Sequence, residues 1–208
     1  KMLDNVMDER YADVMERALY NGIISGMQLD GKRFFYVNPL ETEPGVSGKL
    51  YGHKHVLPER PGWYTCACCP PNVVRLLMSL GKYLWSETED GVYSHIPAGT
   101  EAHFDRMDVT VESNYPWDGK VIYHVTGKTE EETILGIHIP SWVRPGSVQV
   151  RINGKVENIC ADVEKGYLIL KRVWEKDEVE IVFPMKIRKI YANLKVREDA
   201  GCVAFMRG

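Results

Sequence analysis

The sequence predicts an α+β fold, with helices in the first part of the chain and an antiparallel β-sandwich in the second. Before about residue 90, apolar residues recur at intervals of three and four, which is the period of a helix that buries one face. After that point they alternate or form short apolar runs, which is typical of strands. We place the helical part at residues 1–92 and the sandwich at residues 93–208.

Two segments of the first part are predicted to be helices. Residues 8–28 carry apolar side chains at helical spacing, and Asp8 or Asp4 can cap the start because aspartate accepts hydrogen bonds from free backbone N–H groups. The second helix is predicted over residues 71–85. Pro70 or Pro71 suits its first turn, where no backbone donor is needed.

An irregular region separates these two helices. RFFYVNPLE, at residues 33–41, is predicted to be a short extended segment, and residues 41–62, rich in Gly, Pro, His and Lys, are predicted to form a long loop. Long loops in compact domains are often functional. His53 and His55 could reach a metal from one face of a strand, but we expect them to be exposed in this loop.

The second part contains seven predicted strand segments separated by turn dipeptides such as DG, NG, GK and PG, a spacing typical of an antiparallel sandwich. These segments are GVYSHIPAG, MDVTVESNYPWDG, KVIYHVTGK, TILGIHIPSW, VQVRINGK, GYLILKR and VEIVFPM. The final residues, CVAFMRG, are predicted to form a further strand. Four histidines fall on predicted strands and are expected at the surface or an interface: His95, His103, His124 and His138.

The composition excludes several classes of protein. The chain of 208 residues is 44% hydrophobic and 26% charged, which are ordinary values for a folded globular protein. Its net charge of −3 and the absence of a long basic run make nucleic acid a poor partner. No apolar stretch approaches the roughly 20 residues of a membrane helix, so no membrane partner is expected. Because Lys1 stands first and the last residues run without a stop signal, we expect the chain to be a fragment.

The five cysteines are distributed unevenly. Cys66, Cys68 and Cys69 lie within four residues of each other, while Cys160 and Cys202 are isolated. Such an arrangement is a poor disulfide framework and fits thiolate chemistry or metal binding in a reducing compartment better. We therefore expect a cytoplasmic protein, with a periplasmic or secreted location still open.

The segment WYTCACCPPN is the most informative one chemically. Zinc prefers thiolate ligands in tetrahedral geometry, and the dipole of a helix that starts at the prolines favours a thiolate anion beside it. Three alternatives remain at this point. They are a structural zinc knot, which needs four ligands, a vicinal disulfide between Cys68 and Cys69, and buried, inert cysteines.

Three segments together resemble the β-L-arabinofuranosidases of glycoside hydrolase family 127. They are CACCPPNVVRLLMSLGKYLW, DVMERALYNGIISGMQLDG and FFYVNPLE. The resemblance implies that residues 1–92 hold the last helices of a six-hairpin (α/α)6 catalytic barrel and that residues 93–208 hold a truncated β-sandwich. It also implies retaining hydrolysis of β-L-arabinofuranosides, with release of L-arabinofuranose from an oligosaccharide or glycoside substrate. A second copy of the chain, in a homodimer, is also considered as a partner.

The resemblance also implies roles for four residues. Cys68 corresponds to the family's nucleophile, whose sulfur also contacts a Zn²⁺ ion, and Cys69 corresponds to a zinc ligand. Tyr36 and Glu16 correspond to residues that bind the sugar or lie near the active centre. The alternative for Glu16 is a helix-surface carboxylate, and the alternative for Tyr36 is a core aromatic.

Other parts of the family's active site have no counterpart in these residues. The general acid/base glutamate, a glutamate and a cysteine that complete the zinc site, and the substrate-binding histidines all correspond to positions upstream. We therefore expect this chain by itself to be inactive. The competing interpretation is a non-catalytic module that binds carbohydrate, or a zinc-bearing interaction module.

Overall fold

The structure, a computed structural model, describes residues 2–39, 41–158 and 163–208. Cys160, one of the two isolated cysteines, lies outside the described residues. Contacts divide the chain into two compact units, one formed by Lys1–Ala12 with Leu84–Gly208 and the other by Asp13–Tyr83. The division of the family's domains at residue 92 stays a prediction.

Helical backbone covers most of both predicted helices. The α-helices are α1 (Glu9–Arg17), α2 (Cys69–Met78) and α3 (Gly81–Leu84). After α1 the backbone continues as a π-helix over Ala18–Ile23 and a 3-10 turn over Ile24–Gly26. The prediction for residues 8–28 is thus confirmed as helical backbone, although the helix type changes twice. Every helix formed by the described residues is too short or too polar to cross a lipid bilayer.

The second predicted helix begins earlier than expected and is interrupted. α2 starts at Cys69, and its final carbonyls are satisfied by Ser79, whose hydroxyl donates to the carbonyl oxygens of Arg75 at 2.9 Å and Leu76 at 3.1 Å. A serine that bonds to the preceding turn competes with continued helix. Helix resumes only at Gly81, so residues 71–85 form two helices rather than one.

Thirteen strands are described, and they include all seven predicted segments. They are β1 (Trp85–Glu87), β2 (Gly91–Ser94), β3 (Thr100–His103), β4 (Met107–Ser113), β5 (Lys120–Gly127), β6 (Thr133–His138), β7 (Gln149–Ile152), β8 (Lys155–Glu157), β9 (Val163–Glu164), β10 (Tyr167–Arg172), β11 (Lys176–Val182), β12 (Ile187–Ile190) and β13 (Ala204–Arg207). The final strand, β13, confirms the prediction for CVAFMRG.

The strands, which belong to the unit formed by Lys1–Ala12 with Leu84–Gly208, form two main sheets and a terminal pair. One sheet has the order β1-β2-β6-β10-β9, the second has the order β3-β4-β5-β11-β7-β8, and β12 pairs with β13. Described pairs are antiparallel except β2 with β6, which are parallel. The predicted antiparallel β part is therefore confirmed, with this one parallel pair as a departure that local sequence patterns do not reveal.

The two main sheets bury their apolar faces against each other. On β5 the side chains of Val121, Tyr123 and Val125 are buried, as the period of two predicts. The Tyr123 hydroxyl lies 3.1 Å from the Ser94 hydroxyl of the other sheet, and its ring meets Trp85 edge-on with centroids 6.4 Å apart. These contacts place the core of the unit between the sheets.

Two-residue turns close two of the hairpins. Asn153 and Gly154, between β7 and β8, both have positive φ angles of 51° and 76°. Lys165 and Gly166, between β9 and β10, likewise have positive φ angles of 46° and 79°. Positive φ at both central residues is the type I′ turn, which matches the twist of the strands. The NG dipeptide noted in the sequence is thus a hairpin turn.

The expectation that His95 and His138 lie at the surface or an interface is wrong, because both side chains are buried in the core of the chain. The Ser86 hydroxyl donates its proton to Asp4 at 3.0 Å, so its oxygen acts as the acceptor toward His95. His95 Nε2–H therefore donates to Ser86 at 2.8 Å, and His95 Nδ1 accepts from the Tyr167 hydroxyl at 2.8 Å. His138 Nδ1 donates to the His95 carbonyl at 3.0 Å. An imidazole is tolerated in a core when its nitrogen atoms are hydrogen-bonded, as both nitrogen atoms of His95 are.

His103 and His124 agree better with the expectation. His103 Nδ1 lies 2.8 Å from an Asp108 carboxylate oxygen, and His124 Nε2 lies 3.1 Å from a Glu112 oxygen. Their side chains are 66% and 42% exposed, respectively. Both side chains therefore lie beside carboxylates on the outer face of the sheet.

Gly91 provides a test of the parallel pairing. A Cβ atom at Gly91 would collide with the Ile134 carbonyl and lie 2.7 Å from its amide nitrogen. Because both are backbone atoms, the two strands would have to separate. We expect Gly91→Ala to lower the free energy of unfolding by about 1–3 kcal/mol, as measured by chemical denaturation.

The matched control is Gly99→Ala. A Cβ there would meet the Ser113 carbonyl oxygen at 3.5 Å, an ordinary van der Waals distance, so little change in stability is expected. Equal stability of the two variants would contradict the close pairing of β2 with β6.

Candidate active site

The cysteine cluster brings three sulfur atoms together at the start of α2. Cys66 Sγ lies 3.7 Å from Cys68 Sγ, which lies 3.8 Å from Cys69 Sγ. All three thiols are free, Cys66 and Cys68 are exposed, and Cys69 is half-buried. A disulfide needs about 2.05 Å between sulfurs, so the vicinal disulfide considered for Cys68 and Cys69 does not form. Inert burial is also inconsistent with these exposures.

The local sequence explains why Cys68 stands at the helix end. Cys68 is the N-cap residue of α2, and its side chain makes no capping hydrogen bond. Pro70 and Pro71 lack the N–H groups that would need partners in a first turn. The Cys68 carbonyl accepts from the backbone and side-chain nitrogens of Asn72 at 3.3 and 2.8 Å. The Cys68 thiol therefore takes no part in capping the helix, while the Cys68 carbonyl is held by Asn72.

The sulfur spacings are compatible with shared coordination of zinc. Tetrahedral geometry with Zn–S distances of about 2.3 Å separates neighbouring sulfurs by about 3.8 Å, close to the 3.7 and 3.8 Å observed. The donor set is incomplete, however, since no group of three or more His, Cys, Asp or Glu side chains within residues 2–39, 41–158 and 163–208 is arranged to hold a metal ion. A zinc site at these thiols would need additional ligands.

Tyr36 lies in an aromatic group that reaches the cysteine segment. Its ring centroid is 5.5 Å from that of Tyr64, which in turn is 5.6 Å from that of Phe34. Tyr64 precedes Cys66 by two residues. Tyr36 is 43% exposed, so the alternative that it is a core aromatic is not supported. Its role toward a sugar stays a prediction.

Arg60, which lies just before the cysteine segment, contacts both the end of the first helical region and the residue before Tyr36. Its guanidinium donates to the carbonyl oxygens of Ser25 at 2.6 Å and Gly26 at 3.2 Å, and it lies 4.6 Å from the centre of the Phe35 ring. The Phe35 amide also donates to Gly26 at 2.9 Å. Three segments far apart in sequence are thus joined at the end of the first helical region.

Glu16 is buried on α1, with only 8% of its surface exposed. This finding excludes the alternative of a helix-surface carboxylate. Tyr20 lies one turn further along, and burial, followed by the negative charge of Glu16, raises the pKa of Tyr20 to about 12. Glu16 therefore belongs to the interior of the unit, and its role near an active centre stays a prediction.

Two further candidates, His53 and His55, belong to no group of three or more metal-binding side chains among the described residues. His53 and His55 are exposed in turns, as expected for the long loop. Three residues that sequence reasoning assigned no role are close to the predicted site: Cys66, Arg60 and Tyr64. The sequence signal for them is their position in or just before WYTCACCPPN. Local patterns do not report the contacts of Arg60 and Tyr64, which connect distant segments.

Comparison with known proteins gives consistent matches along the chain. Residues 1–82 match the catalytic domain, and residues 91–185 the middle domain, of the β-L-arabinofuranosidases of glycoside hydrolase family 127. A non-reducing end β-L-arabinofuranosidase from Bifidobacterium longum subsp. longum is 40% identical over 215 residues, which cover 100% of this chain and 32% of that protein.

Solved structures agree with these matches. The crystal structure of a family 127 β-L-arabinofuranosidase from Geobacillus stearothermophilus T6 is similar to this chain with a TM-score of 0.89 and 47% identity, covering 100% of this chain and 33% of that one. A second structure, of a family 127 β-arabinofuranosidase, has a TM-score of 0.79 and 37% identity, covering 97% and 32%. The chain thus spans about a third of the length of these relatives.

Part of a catalytic domain that carries clustered thiols, joined to a β-sheet middle domain, defines the class as glycoside hydrolases. Within that class the chain belongs to glycoside hydrolase family 127.

The contacts of Arg60 lead to a stability prediction. Arg60→Ala removes two hydrogen bonds from a charged group and the contact with Phe35, so we expect the unit Asp13–Tyr83 to lose about 1–3 kcal/mol. Arg60→Lys keeps the charge but loses the two-pronged geometry and should be intermediate. Thermal unfolding followed by circular dichroism measures both effects.

Arg33→Ala is the matched control, since Arg33 is an exposed arginine of the same unit whose side chain takes no part in these contacts. If Arg60→Ala and Arg33→Ala unfold at the same temperature, the proposed anchoring by Arg60 is refuted.

Proposed function

We propose that this chain is part of a retaining glycoside hydrolase that releases L-arabinofuranose from β-L-arabinofuranosides, with Cys68 as its nucleophile. One observation carries the proposal: Cys68 is an exposed thiol between two other thiols, at the start of a helix, in a chain 40% identical to a β-L-arabinofuranosidase. The match of residues 1–82 to the family's catalytic domain supports it.

The helices are proposed to belong to the six-hairpin (α/α)6 barrel of the family. This proposal is supported by the order of the elements, since α1 and α2 precede the β unit along the chain. It is also supported by the exposure of Val74, Leu77 and Met78 on α2, at 57%, 39% and 84%, because apolar side chains on an amphipathic helix normally pack against a neighbour.

The proposed reaction consists of two displacements at one carbon atom. The Cys68 thiolate attacks the anomeric carbon and forms a carbon–sulfur bond, while the bond to the leaving oxygen breaks and that oxygen takes a proton from a general acid. Water then attacks the same carbon and gives its proton to the conjugate base of that general acid, while the carbon–sulfur bond breaks to restore the thiolate. Two inversions return the original configuration, so the enzyme is retaining.

The remaining residues are proposed to bind and orient the substrate. Tyr36, half-exposed beside the cysteine segment, is proposed to contact the sugar ring with its face, since aromatic rings combine an apolar body with a polar tip. Glu16 is proposed to accept hydrogen bonds from sugar hydroxyls or from a residue that orients them. Both assignments rest on the resemblance to the family.

Zinc is proposed as the cofactor, with Cys68 and Cys69 among its ligands. When bound, it would hold the Cys68 sulfur in its anionic form at neutral pH. The remaining ligands and the general acid are proposed to lie outside these residues, as the resemblance to the family implies.

The first functional prediction concerns the isolated chain. We expect the 208 residues alone to hydrolyse no aryl β-L-arabinofuranoside, because proton donation to the leaving oxygen, worth about 10²–10⁴-fold, needs an acid from outside them. The release of the aryl group, compared with that by a full-length protein containing this chain, provides the measurement. Robust turnover by the isolated chain would show that the acid lies within it.

The second concerns the cysteines in the full-length protein. We expect Cys68→Ser to lower kcat by a factor of about 10³ or more while zinc content is retained in part, because a hydroxyl is a far weaker nucleophile than a thiolate. Cys69→Ser should lower zinc content and activity together. Zinc analysis and initial rates distinguish the two variants.

Cys202→Ser is the control, since Cys202 is an exposed thiol remote in sequence from the cluster. If Cys68→Ser keeps near-normal turnover and only Cys69→Ser loses activity, the roles assigned to Cys68 and Cys69 must be exchanged. Full activity of both variants would exclude a cysteine mechanism, and a carboxylate such as Glu16 would become the candidate.

A further inference from the structure

Tyr64 bridges a buried and an exposed aromatic ring. Its ring lies 5.6 Å from Phe34, which is buried, and 5.5 Å from Tyr36, which is 43% exposed. The planes are inclined by 50° and 39°, and both separations lie in the range in which aromatic pairs attract each other. Tyr64 therefore fixes the inner side of Tyr36 and leaves its outer side accessible.

The same residue belongs to the segment that carries the thiols. Tyr64 and Cys68 are four residues apart, so their Cα atoms are at most about 15 Å apart, even in a fully extended chain. The alignment of this segment beside residues 34–36 is also fixed by the backbone, since the Phe34 amide donates to the Pro61 carbonyl at 3.2 Å. A shift of Tyr64 would thus move Tyr36 relative to the cysteines.

The phenol hydroxyl of Tyr64 does not explain why a tyrosine occupies this position. Within the described part of the chain this oxygen is buried and has no hydrogen-bond partner. Burying a hydroxyl in this way is unfavourable, so the ring rather than the hydroxyl accounts for its contacts with Phe34 and Tyr36.

We propose that Tyr64 is a positioning residue whose ring holds Tyr36 at a fixed place beside the cysteine segment and thereby controls how tightly the arabinofuranosyl ring is bound. The inference rests on the proposed function, because it assigns Tyr36 to the sugar and Cys68 to the attack. It adds a residue that acts through Tyr36 and does not itself touch the substrate.

The test compares variants of the full-length protein on an aryl β-L-arabinofuranoside. Tyr64→Leu is expected to raise KM about tenfold and to change kcat by less than about threefold, since binding of the sugar is affected more than the chemical step. Tyr64→Phe keeps the ring and should restore KM to within about twofold of the original value. Tyr64→Met replaces Tyr64→Leu if the latter does not fold.

A double-mutant cycle with Tyr36→Leu separates positioning from general destabilisation. If Tyr64 acts through Tyr36, adding Tyr64→Leu to Tyr36→Leu raises KM by less than about twofold further. Additive effects, an unchanged KM in Tyr64→Leu, or equal damage from Tyr64→Phe and Tyr64→Leu would each overturn the inference while leaving a Cys68-dependent activity intact. A full-length protein without any such activity would overturn both this inference and the proposed function.

Discussion

The position of the three sulfur atoms depends on the first turn of α2. A helix that begins at Cys69 with two prolines after it has few free N–H groups, and the Cys68 backbone is held by Asn72. The sulfur atom of Cys68 is consequently placed between those of its neighbours at 3.7 and 3.8 Å without forming a disulfide. This arrangement is compatible with the proposed roles of Cys68 as nucleophile and as metal ligand.

The β part could be predicted well because its signal is local. Alternation along β4, β5 and β11 reports which side chains face the core, and NG marks the turn at Asn153. The histidines could not be assigned in the same way. Burial of His95 depends on Tyr167, which is 72 residues away, and no local pattern reports such a partner.

The candidate site was predictable only where its residues share one short segment. The Cys-x-Cys-Cys-Pro-Pro spacing indicated a helix start beside clustered thiols, and the structure has both. The roles of Arg60 and Tyr64 could not be predicted from the sequence, because their contacts join segments about 30 residues apart. Arg60 contacts Ser25, and Tyr64 contacts Phe34. The change from α-helix to π-helix after Arg17 likewise has no composition signal.

The first helical region has two unusual features around Glu16, its burial and the change of helix type that follows. Placing a carboxylate where 8% of its surface is exposed is unfavourable compared with an apolar side chain of similar size, and Tyr20 beside it has its pKa raised to about 12 by burial and by that charge. The π-helix Ala18–Ile23 begins two residues later, and such turns are frequent at functional sites. Both features are compatible with the proposed role of Glu16 near an active centre.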